Sequence, residues 1–339
     1  MINKAITQAE IARRLGVSVA TISRVVNDQP GVGDVLRQKV LRTLQELQYA
    51  PNASARSLVT DETCIVGFVT PEPSAMAAAD PFYMTIMAGA EAELARHGYH
   101  MILTTLDEQP ASRPEVLPVV QKGRVDGLIL AGPKIPKPLI FSLLAADVPV
   151  VLVDNCLSQV PVNCILGDNE DGLYQATRHI LDHGHRTVAF LSGPQGWVSN
   201  REREEGYRRA MGKAGLEPRV INGDETTIAS GQAMLAEALQ RWPELTAICA
   251  VNDPVAIGAI RAAQQLGRAI PGDLALIGFD DISWAALNSP ALSTVHVFKR
   301  RMGQLAARRL VELLQEPAVI PSRTIVATQL VIRESCGSH

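Results

Sequence analysis

From residue 64 onward, short apolar runs of strand length alternate with longer stretches of helical periodicity, and this alternation constrains the fold most strongly. Repeated strand–helix–strand units build a parallel sheet with helices on both faces. Because the pattern restarts after about Leu166, it predicts two doubly wound parallel-sheet lobes with a cleft between them. The predicted strands are 65–69, 99–104, 127–130, 148–153, 188–191, 219–221, 247–251 and 274–279. The predicted helices between them are 81–97, 113–122, 137–146, 168–183, 201–214, 230–241 and 254–266.

Basic residues are concentrated at the N-terminal end of the chain. Residues 1–60 contain 8 Lys and Arg against 4 Asp and Glu, which leaves 24 of the 32 basic and 31 of the 35 acidic residues for the rest. A basic end on an acidic body indicates that only this end meets a polyanion such as a nucleic acid. No early segment joins a basic start to an unbroken apolar run, so we expect a cytoplasmic protein without a secretory signal or membrane span.

The first fifty residues have the pattern of three short helices that form a helix-turn-helix headpiece. Thr7 and Ser18 suit the N-caps of the first two helices, Gly16 suits the turn between them, and the third helix is predicted over 34–48. In the second helix the inward stripe is predicted to be Val19, Ile22, Val25 and Val26, and the outward side chains Ala20, Thr21, Ser23, Arg24 and Asn27. Small, hydrogen-bonding and cationic side chains on the outward face suit the major groove of DNA. A helical hairpin that serves only for packing is the alternative.

The literal sequence favours DNA binding over packing alone. Segments 11–18 (IARRLGVS) and 21–27 (TISRVVN), with 49–52 (YAPN) and 55–58 (ARSL), resemble the headpiece of the LacI/GalR (lactose/galactose repressor) family at the family's spacing. This chain departs from the family at two positions near the start of the third helix, Gly33 and Leu36, the second of which directly precedes Arg37. The departure concerns one expected phosphate contact and does not affect the fold. The outward face and the resemblance together predict DNA contacts from Thr7, Ser18, Val19, Ala20, Thr21, Ser23, Arg24, Asn27, Asn52, Ala55, Arg56 and Leu58.

A short segment after the headpiece, 52–59, has room for about two turns of helix, which is too short to be stable in water by itself. The resemblance implies a hinge helix that orders on DNA. Paired across a dimer, two such helices would present Leu58 as an apolar wedge to the minor groove and bend the duplex. An ordinary interdomain linker is the alternative.

In the body, polar side chains follow the predicted strands at the ends where ligands bind in parallel sheets. Asp154, Asn252 and Asp280 each follow a strand, and Arg203 lies in the helix after the loop 192–200. Carboxylate, amide and guanidinium groups can clasp adjacent hydroxyls of a sugar through paired hydrogen bonds. We therefore expect Arg203 and Asp280 to contact different hydroxyls of one ligand, with Asn252 completing the set. The alternative is that both residues are structural, with Arg203 paired internally and Asp280 capping a helix.

Aromatic side chains can cover the apolar side of a pyranose ring, and two groups of them are candidates. Phe82 and Tyr83 begin one predicted helix, and Trp197 lies in the loop before another. The motifs 203–207 (REEGY), 249–253 (CAVND) and 278–282 (GFDDI) resemble the effector-site motifs of the same family, in the family's order. The resemblance implies periplasmic-binding-protein-like lobes. The predicted effector contacts are Phe82, Tyr83, Asp154, Arg203, Asn252 and Asp280.

Two departures from the family concern the same cleft. Many relatives have an aromatic residue after the position of Gly223-Asp224, whereas this chain has Glu225-Thr226-Thr227, so that stacking contact is expected to be absent. The loop 71–80 is longer than usual in the family and is expected to reshape the mouth of the pocket.

The predicted function is a ligand-responsive transcription repressor without enzymatic activity. It is expected to bind a pseudo-palindromic operator in double-stranded DNA as a homodimer and to respond to a small molecule, a carbohydrate, in the interlobe cleft. A cytoplasmic sugar-binding protein or a sugar-modifying enzyme of similar α/β fold are the alternatives. The sequence has no phosphate-loop, dinucleotide or nucleophile-elbow motif, so we expect no catalytic residue and no cofactor.

Metal binding and disulfides are also not expected. His179 and His183 stand four residues apart, but a solvated helix end explains them better than a metal site without a third ligand. The five cysteines contain no C-x-x-C pair, which favours reduced thiols.

The predicted domain organisation has three parts. A DNA-binding headpiece spans 1–50, a hinge helix or linker spans 51–61, and an effector-binding and dimerisation domain spans 62–336. The N-lobe of that domain is predicted over about 62–165 and 296–324, and the C-lobe over about 166–295 and 325–336.

Overall fold

The structure is a computed structural model of the 339-residue chain and describes residues 6–26, 29–47, 49, 63–71, 81–106, 124–157, 160–316 and 318–337. The chain divides into two compact units, Met1–Cys64 and Ile65–His339. None of the described helices has both the length and the apolar character that a membrane crossing requires.

The first unit contains three helices, α1 (Gln8–Leu15), α2 (Val19–Val26) and α3 (Asp34–Glu46). Thr7 caps α1, and Gly16 ends it in the left-handed conformation at a φ of 68°. The fully buried residues of its core are Ile11, Ala12, Ile22, Val25 and Val40. The predicted third helix is therefore confirmed, with Leu36, Leu44 and Leu47 packed against this core.

One prediction for this unit is wrong. The sequence pattern predicts Val19 in the inward stripe of α2, but its side chain is 47% exposed. Val19 is the first residue of the helix, and Val17, which precedes the helix, packs on the core instead. Val19 thus lies with Ala20 and Arg24, which are also exposed.

The second unit is built on two parallel sheets and a small antiparallel one. The six-stranded sheet has the order β11-β5-β4-β3-β1-β2, and the four-stranded sheet has the order β7-β6-β8-β9. Strands β10 and β12 form the antiparallel pair, in which Thr294 faces Val331. The strands are β1 (Ile65–Thr70), β2 (His100–Thr105), β3 (Gly127–Ala131), β4 (Val150–Val153), β5 (Asn163–Gly167), β6 (Val188–Ser192), β7 (Arg219–Asn222), β8 (Ala247–Ala250), β9 (Ala275–Ile277), β10 (Thr294–Val297), β11 (Arg323–Val326) and β12 (Thr328–Val331).

Helices follow most of these strands, as the alternating sequence pattern predicts. The helices of this unit are α4 (Pro81–Arg96), α5 (Lys137–Ala145), α6 (Asn169–Asp182), α7 (Val198–Lys213), α8 (Ile228–Arg241), α9 (Asp253–Gln265), α10 (Ser283–Leu287) and α11 (Lys299–Gln315). The helix predicted over 113–122 lies outside the described residues. Strands β3, β4 and β5 are buried along their whole length, because helices cover both faces of the sheet.

Three pairs of these helices approach closely, and glycine makes each approach possible. Helix α4 packs along α11, α6 along α7, and α8 along α9. A Cβ added at Gly303 of α11 would overlap the carbonyl oxygen of Ile86 in α4, and one added at Gly89 would overlap the carbonyl oxygen of Arg300. The axes of α4 and α11 can therefore stay close only if these positions carry no side chain.

This packing predicts opposite effects for two Gly→Ala substitutions. Gly303→Ala should lower the free energy of unfolding by about 1–3 kcal/mol, because α11 must move away from α4. Gly212→Ala in α7 is the matched control, since a Cβ there meets no atom within 4 Å, and it should raise the same quantity by about 0.4–1 kcal/mol. Urea unfolding followed by tryptophan fluorescence measures both. Equal effects of the two substitutions would contradict the close approach.

Candidate functional site

A cavity of about 570 Å³ opens between the carboxyl ends of the two parallel sheets, and its wall contains all six predicted effector residues. Parallel strands converge with their carboxyl ends at one edge, so residues that follow β4, β8 and β9 meet there although they are far apart in sequence. The predicted residues in the wall are Phe82, Tyr83, Asp154, Arg203, Asn252 and Asp280.

Arg203 is the most heavily bonded of these side chains. Its Nη2 donates to Asp280 Oδ1 at 3.0 Å, its Nη1 to the carbonyl oxygen of Val251 at 2.6 Å, and its Nε to Asn169 Oδ1 at 3.0 Å. Its guanidinium carbon lies 3.9 Å from the centre of the Phe279 ring. Both members of the Arg203–Asp280 ion pair are buried. The sequence predicted that these two side chains contact different hydroxyls of a ligand, whereas the structure also pairs them with each other.

Asp154 is buried at the end of β4 and has a positive φ of 54°. The Tyr83 hydroxyl donates to its Oδ2 at 2.9 Å, which joins the first turn of α4 to the end of β4. Burial raises the pKa of the Asp154 carboxyl to about 7, and the negative charge of Asp280 acts in the same direction, while Arg203 and the Tyr83 hydrogen bond oppose it. Asp154 therefore changes its charge near neutral pH.

This raised pKa predicts how stability depends on pH. The folded chain holds the Asp154 proton more tightly than the unfolded chain, so stability should fall as the pH rises from 3.8 towards about 7. Asp154→Asn removes this contribution and keeps the shape of the side chain. Between pH 5 and pH 8 the natural chain should lose about 2–3 kcal/mol more of its free energy of unfolding than the variant does. Urea unfolding at the two pH values measures this difference, and parallel losses would show that the Asp154 pKa is not raised.

Asn252 has a structural role in addition to its place in the wall. It is the N-cap of α9, and its amide oxygen accepts from the backbone nitrogen of Val255 at 3.0 Å. Its amide nitrogen donates to the carbonyl oxygen of Thr226 at 3.2 Å. Asn252 thus connects the start of α9 with the loop that precedes α8.

The carboxylates next to these residues lie behind the wall. Asp253 accepts from the Thr294 hydroxyl at 2.5 Å and from the Ile282 backbone nitrogen at 2.8 Å, and burial raises its pKa well above the usual range. Asp281 accepts from Arg333 at 2.6 Å and from His296 at 2.8 Å. Although burial opposes it, these two bonds lower the Asp281 pKa. Both carboxylates hold the loop that carries Asp280.

The aromatic part of the wall is larger than the sequence predicted. Phe82 and Tyr83 pack edge to face, with ring centres 5.0 Å apart, and Trp197 also lines the cavity. Trp284 of α10 was missed, because no motif marks it. As predicted, Glu225-Thr226-Thr227 bring no aromatic ring, but Trp284 lines the same cavity. Polar residues of the wall that were also missed are Lys134, Ser199 and Asn200. Pro71 lines the cavity, while 72–80, the rest of the predicted long loop, lies outside the described residues.

The predicted DNA contacts in the first unit lie on and before α2. The Ser18 hydroxyl accepts from the Thr21 backbone nitrogen at 3.1 Å and is 2.8 Å from the Thr21 hydroxyl, as at a helix N-cap. Arg24 is exposed in the last turn of α2, and Ser23 is half-buried. The remaining predicted contacts, which lie outside the described residues, are Asn27, Asn52, Ala55, Arg56 and Leu58.

Comparison with known proteins matches two family models to different parts of the chain. Residues 7–52 match the family of bacterial regulatory proteins of the lacI type, and residues 177–336 match the periplasmic binding protein-like domain. The HTH-type transcriptional regulator CelR of Thermobifida fusca is 34% identical over 330 residues, which are 96% of this chain and 96% of that protein.

Two solved structures resemble the chain over almost its whole length. A complex of the transcriptional regulator CelR with cellobiose has a TM-score of 0.77 at 32% identity, over 97% of this chain and 99% of that one. The lac repressor dimer bound to operator and the anti-inducer ONPF has a TM-score of 0.82 at 28% identity, over 98% and 99%. The predicted fold class and family resemblance are confirmed. The chain therefore belongs to the lacI family of bacterial regulatory proteins.

Proposed function

We propose that this regulator is a repressor whose affinity for its operator is set by an uncharged carbohydrate in the cavity beside Arg203. The composition of the wall carries this proposal. Aromatic rings alternate there with hydroxyl, amide and carboxyl groups, which is the combination that a sugar ring requires, since it has apolar faces and a polar edge.

The charges in the wall favour a neutral ligand over a phosphorylated one. The buried guanidinium of Arg203 is already neutralised by Asp280 at 3.0 Å. Asp154, whose pKa is about 7, is partly protonated at neutral pH and can both donate and accept hydrogen bonds. A sugar phosphate would place its anionic charge near the Asp280 carboxylate, where Arg203 is already paired. The other cation among the described residues of the wall, Lys134, is accompanied by Glu225, so these residues have no excess of positive charge for a phosphate.

Cellobiose is the first ligand to test. It is the sugar in the CelR complex, which resembles this chain over 97% of its length. Cavities that enclose a small ligand commonly measure about 300–1,000 Å³, and a cavity of about 570 Å³ falls within that range.

On the DNA side, we propose that two copies of α2 read the half-sites of a pseudo-palindrome from a homodimer, through Thr7, Ser18, Val19, Ala20, Thr21, Ser23 and Arg24. Asn27 is proposed to read the major groove with them. Asn52, Ala55, Arg56 and Leu58 are proposed as DNA contacts of the hinge, with Leu58 as the apolar wedge in the minor groove. We also propose the domain boundaries given above. The headpiece and the hinge then bind DNA, and the effector domain binds the ligand and forms the dimer. Because the partner is chromosomal DNA, we place the protein in the cytoplasm, and we assign it no catalytic role.

One experiment tests the two parts of the proposal separately. Repeated selection of bound duplexes from a random DNA library should enrich a pseudo-palindromic site. The affinity of the protein for this site should then be measured in the presence of each sugar from a panel of mono- and disaccharides that includes cellobiose. We expect one sugar of the panel to change the operator dissociation constant at least tenfold, which is about 1.4 kcal/mol of coupling. Enrichment without any response would reject the carbohydrate effector and keep the DNA-binding function, and a response to sugar phosphates alone would reject the neutral ligand.

A further inference from the structure

Lys299 joins the two sides of the cavity from behind its wall. It is the first residue of α11 and is buried. Its ammonium group donates to the carbonyl oxygen of Asp281 at 3.0 Å and also to the carbonyl oxygen of Asp280. Lys299 is therefore bonded to the backbone of the loop that presents the Asp280 carboxylate to Arg203.

The loop it contacts has an unusual backbone. Asp280 has a φ of 105° and Asp281 has a φ of 50°, conformations that are disfavoured for residues with a side chain and persist only where neighbouring groups fix them. The backbone nitrogens of the loop are bonded in turn to the Val295 carbonyl at 2.9 Å, the Thr294 hydroxyl at 3.3 Å and the Asp253 carboxylate at 2.8 Å. The carbonyl oxygens of Asp280 and Asp281 receive Lys299 on the other side.

A cation is poorly suited to the position of Lys299 on packing grounds alone. The N-terminus of a helix carries partial positive charge and favours anions. Burial lowers the pKa of the Lys299 ammonium, and only the carboxylates of Asp280, Asp281 and Asp253 act against this. An apolar side chain of equal length would fill the space without these costs, so the interaction with the loop is the property that Lys299 supplies.

Lys299 also reaches the opposite side of the cavity. Its ammonium nitrogen is 6.0 Å from the centre of the Phe82 ring, and Phe82 with Tyr83 forms the first turn of α4. Helix α11, which begins at Lys299, packs along α4 through Gly303 and Gly89. One side chain thus bonds to the Asp280 loop beside the four-stranded sheet and lies within cation–π distance of the Phe82 ring beside the six-stranded sheet.

We propose that Lys299 is a positioning residue that couples the Asp280 loop to helices α4 and α11, so that a ligand held by Asp280 and Arg203 changes the arrangement of those helices. This coupling rests on the proposed effector function of the cavity. A ligand acts on a distant site only if it binds two arrangements of the protein differently. Because Lys299 bonds to the Asp280 loop and lies near the Phe82 ring, a ligand that favours one position of the loop also favours one position of α4 and α11.

The test uses the full chain without ligand and measures hydrogen–deuterium exchange of backbone amides. Lys299→Met keeps the length of the side chain and removes its charge and donors. We expect about tenfold faster exchange at residues 280–282 and also in the α4 segment 85–90. Exchange in β8 should stay unchanged, because the core of the four-stranded sheet does not depend on this contact. Lys299→Arg, which keeps the charge and the donors, should restore most of the protection.

Arg300→Met is the matched control, since Arg300 is an exposed cation in the same turn of α11. It should leave exchange in all three segments at the natural rate. Faster exchange in β8 together with the other segments would mean a general loss of stability and would overturn the proposal. Unchanged exchange at 280–282, or a change there without one in α4, would also overturn it.

A second measurement separates this proposal from the proposed function. Where cellobiose changes operator affinity in the natural chain, Lys299→Met should reduce that change at least fivefold, and Arg300→Met should leave it as it is. A normal response of Lys299→Met would refute the coupling even if its loop exchanges faster. If neither cellobiose nor any other sugar of the panel acts on the natural chain, the carbohydrate proposal fails, while the exchange measurements still decide whether Lys299 links the two walls.

Discussion

Replacing Arg203 by alanine should lower the free energy of unfolding of the Ile65–His339 unit by about 3–5 kcal/mol and abolish the response to effector. The substitution leaves the Asp280 carboxylate buried without its cation. It also removes the donors that satisfy the Val251 carbonyl and the Asn169 side chain. Urea unfolding followed by tryptophan fluorescence reports on this unit alone, because all three tryptophans, Trp197, Trp242 and Trp284, lie within it.

Two variants show whether the ion pair causes this loss. Asp280→Asn keeps an oxygen that can accept from Arg203 but leaves that buried cation without its counter-ion. A loss similar to that of Arg203→Ala would therefore assign the effect to the ion pair, and a much smaller loss would assign it to the other bonds of Arg203. Arg201→Ala removes an exposed arginine from the same helix, and its effect should stay within about 0.5 kcal/mol. An Arg203→Ala protein as stable as the natural chain, but without effector response, would show that Arg203 serves the ligand only and that its internal bonds contribute little.

The sequence predicts Arg203 and Asp280 as ligand contacts, and only the structure adds the bond between them, which shows what a sequence can specify. Strands such as β4 can be predicted from the sequence because a strand that is buried on both faces must be apolar throughout. The assembly of Asp154, Asn252 and Asp280 in one cavity is also predictable, since the carboxyl ends of neighbouring parallel strands meet at one edge. These inferences need only the order of elements along the chain.

Contacts that depend on side-chain direction or on distant pairing were not predictable. The bond from Arg203 to Asp280 and the capping role of Asn252 require rotamers and distances that spacing does not contain. Strands β10 and β12 pair across more than thirty residues, and each is only four residues long, so neither has a recognisable period of its own. Trp284 and Lys299 lie in segments without a motif, and only the packing of α10 and α11 brings Trp284 into the wall of the cavity and Lys299 behind it.

Arg24→Ala should weaken operator binding by about 1–3 kcal/mol, which is roughly fivefold to more than a hundredfold, and leave binding to random DNA almost unchanged. Arg24 is exposed in the last turn of α2, while Ile22 and Val25 hold the other face of that helix in the core. Its guanidinium can therefore reach a guanine edge without disturbing the headpiece. Fluorescence anisotropy with the selected operator and with a scrambled duplex, both at one salt concentration, gives the two affinities.

Arg14→Ala is the charge-matched control, because Arg14 is an exposed cation on α1 and not on α2. If Arg14 contacts only phosphate, its loss should weaken both duplexes by similar factors and reduce the dependence of the logarithm of affinity on the logarithm of salt concentration by about 1. Arg24→Ala should in addition relax the base preference at one pair of each half-site when the selection is repeated with the variant. Equal losses of Arg24→Ala on operator and scrambled DNA would instead assign Arg24 to the phosphate backbone, and base reading would then fall to the other exposed side chains of α2, Val19 and Ala20.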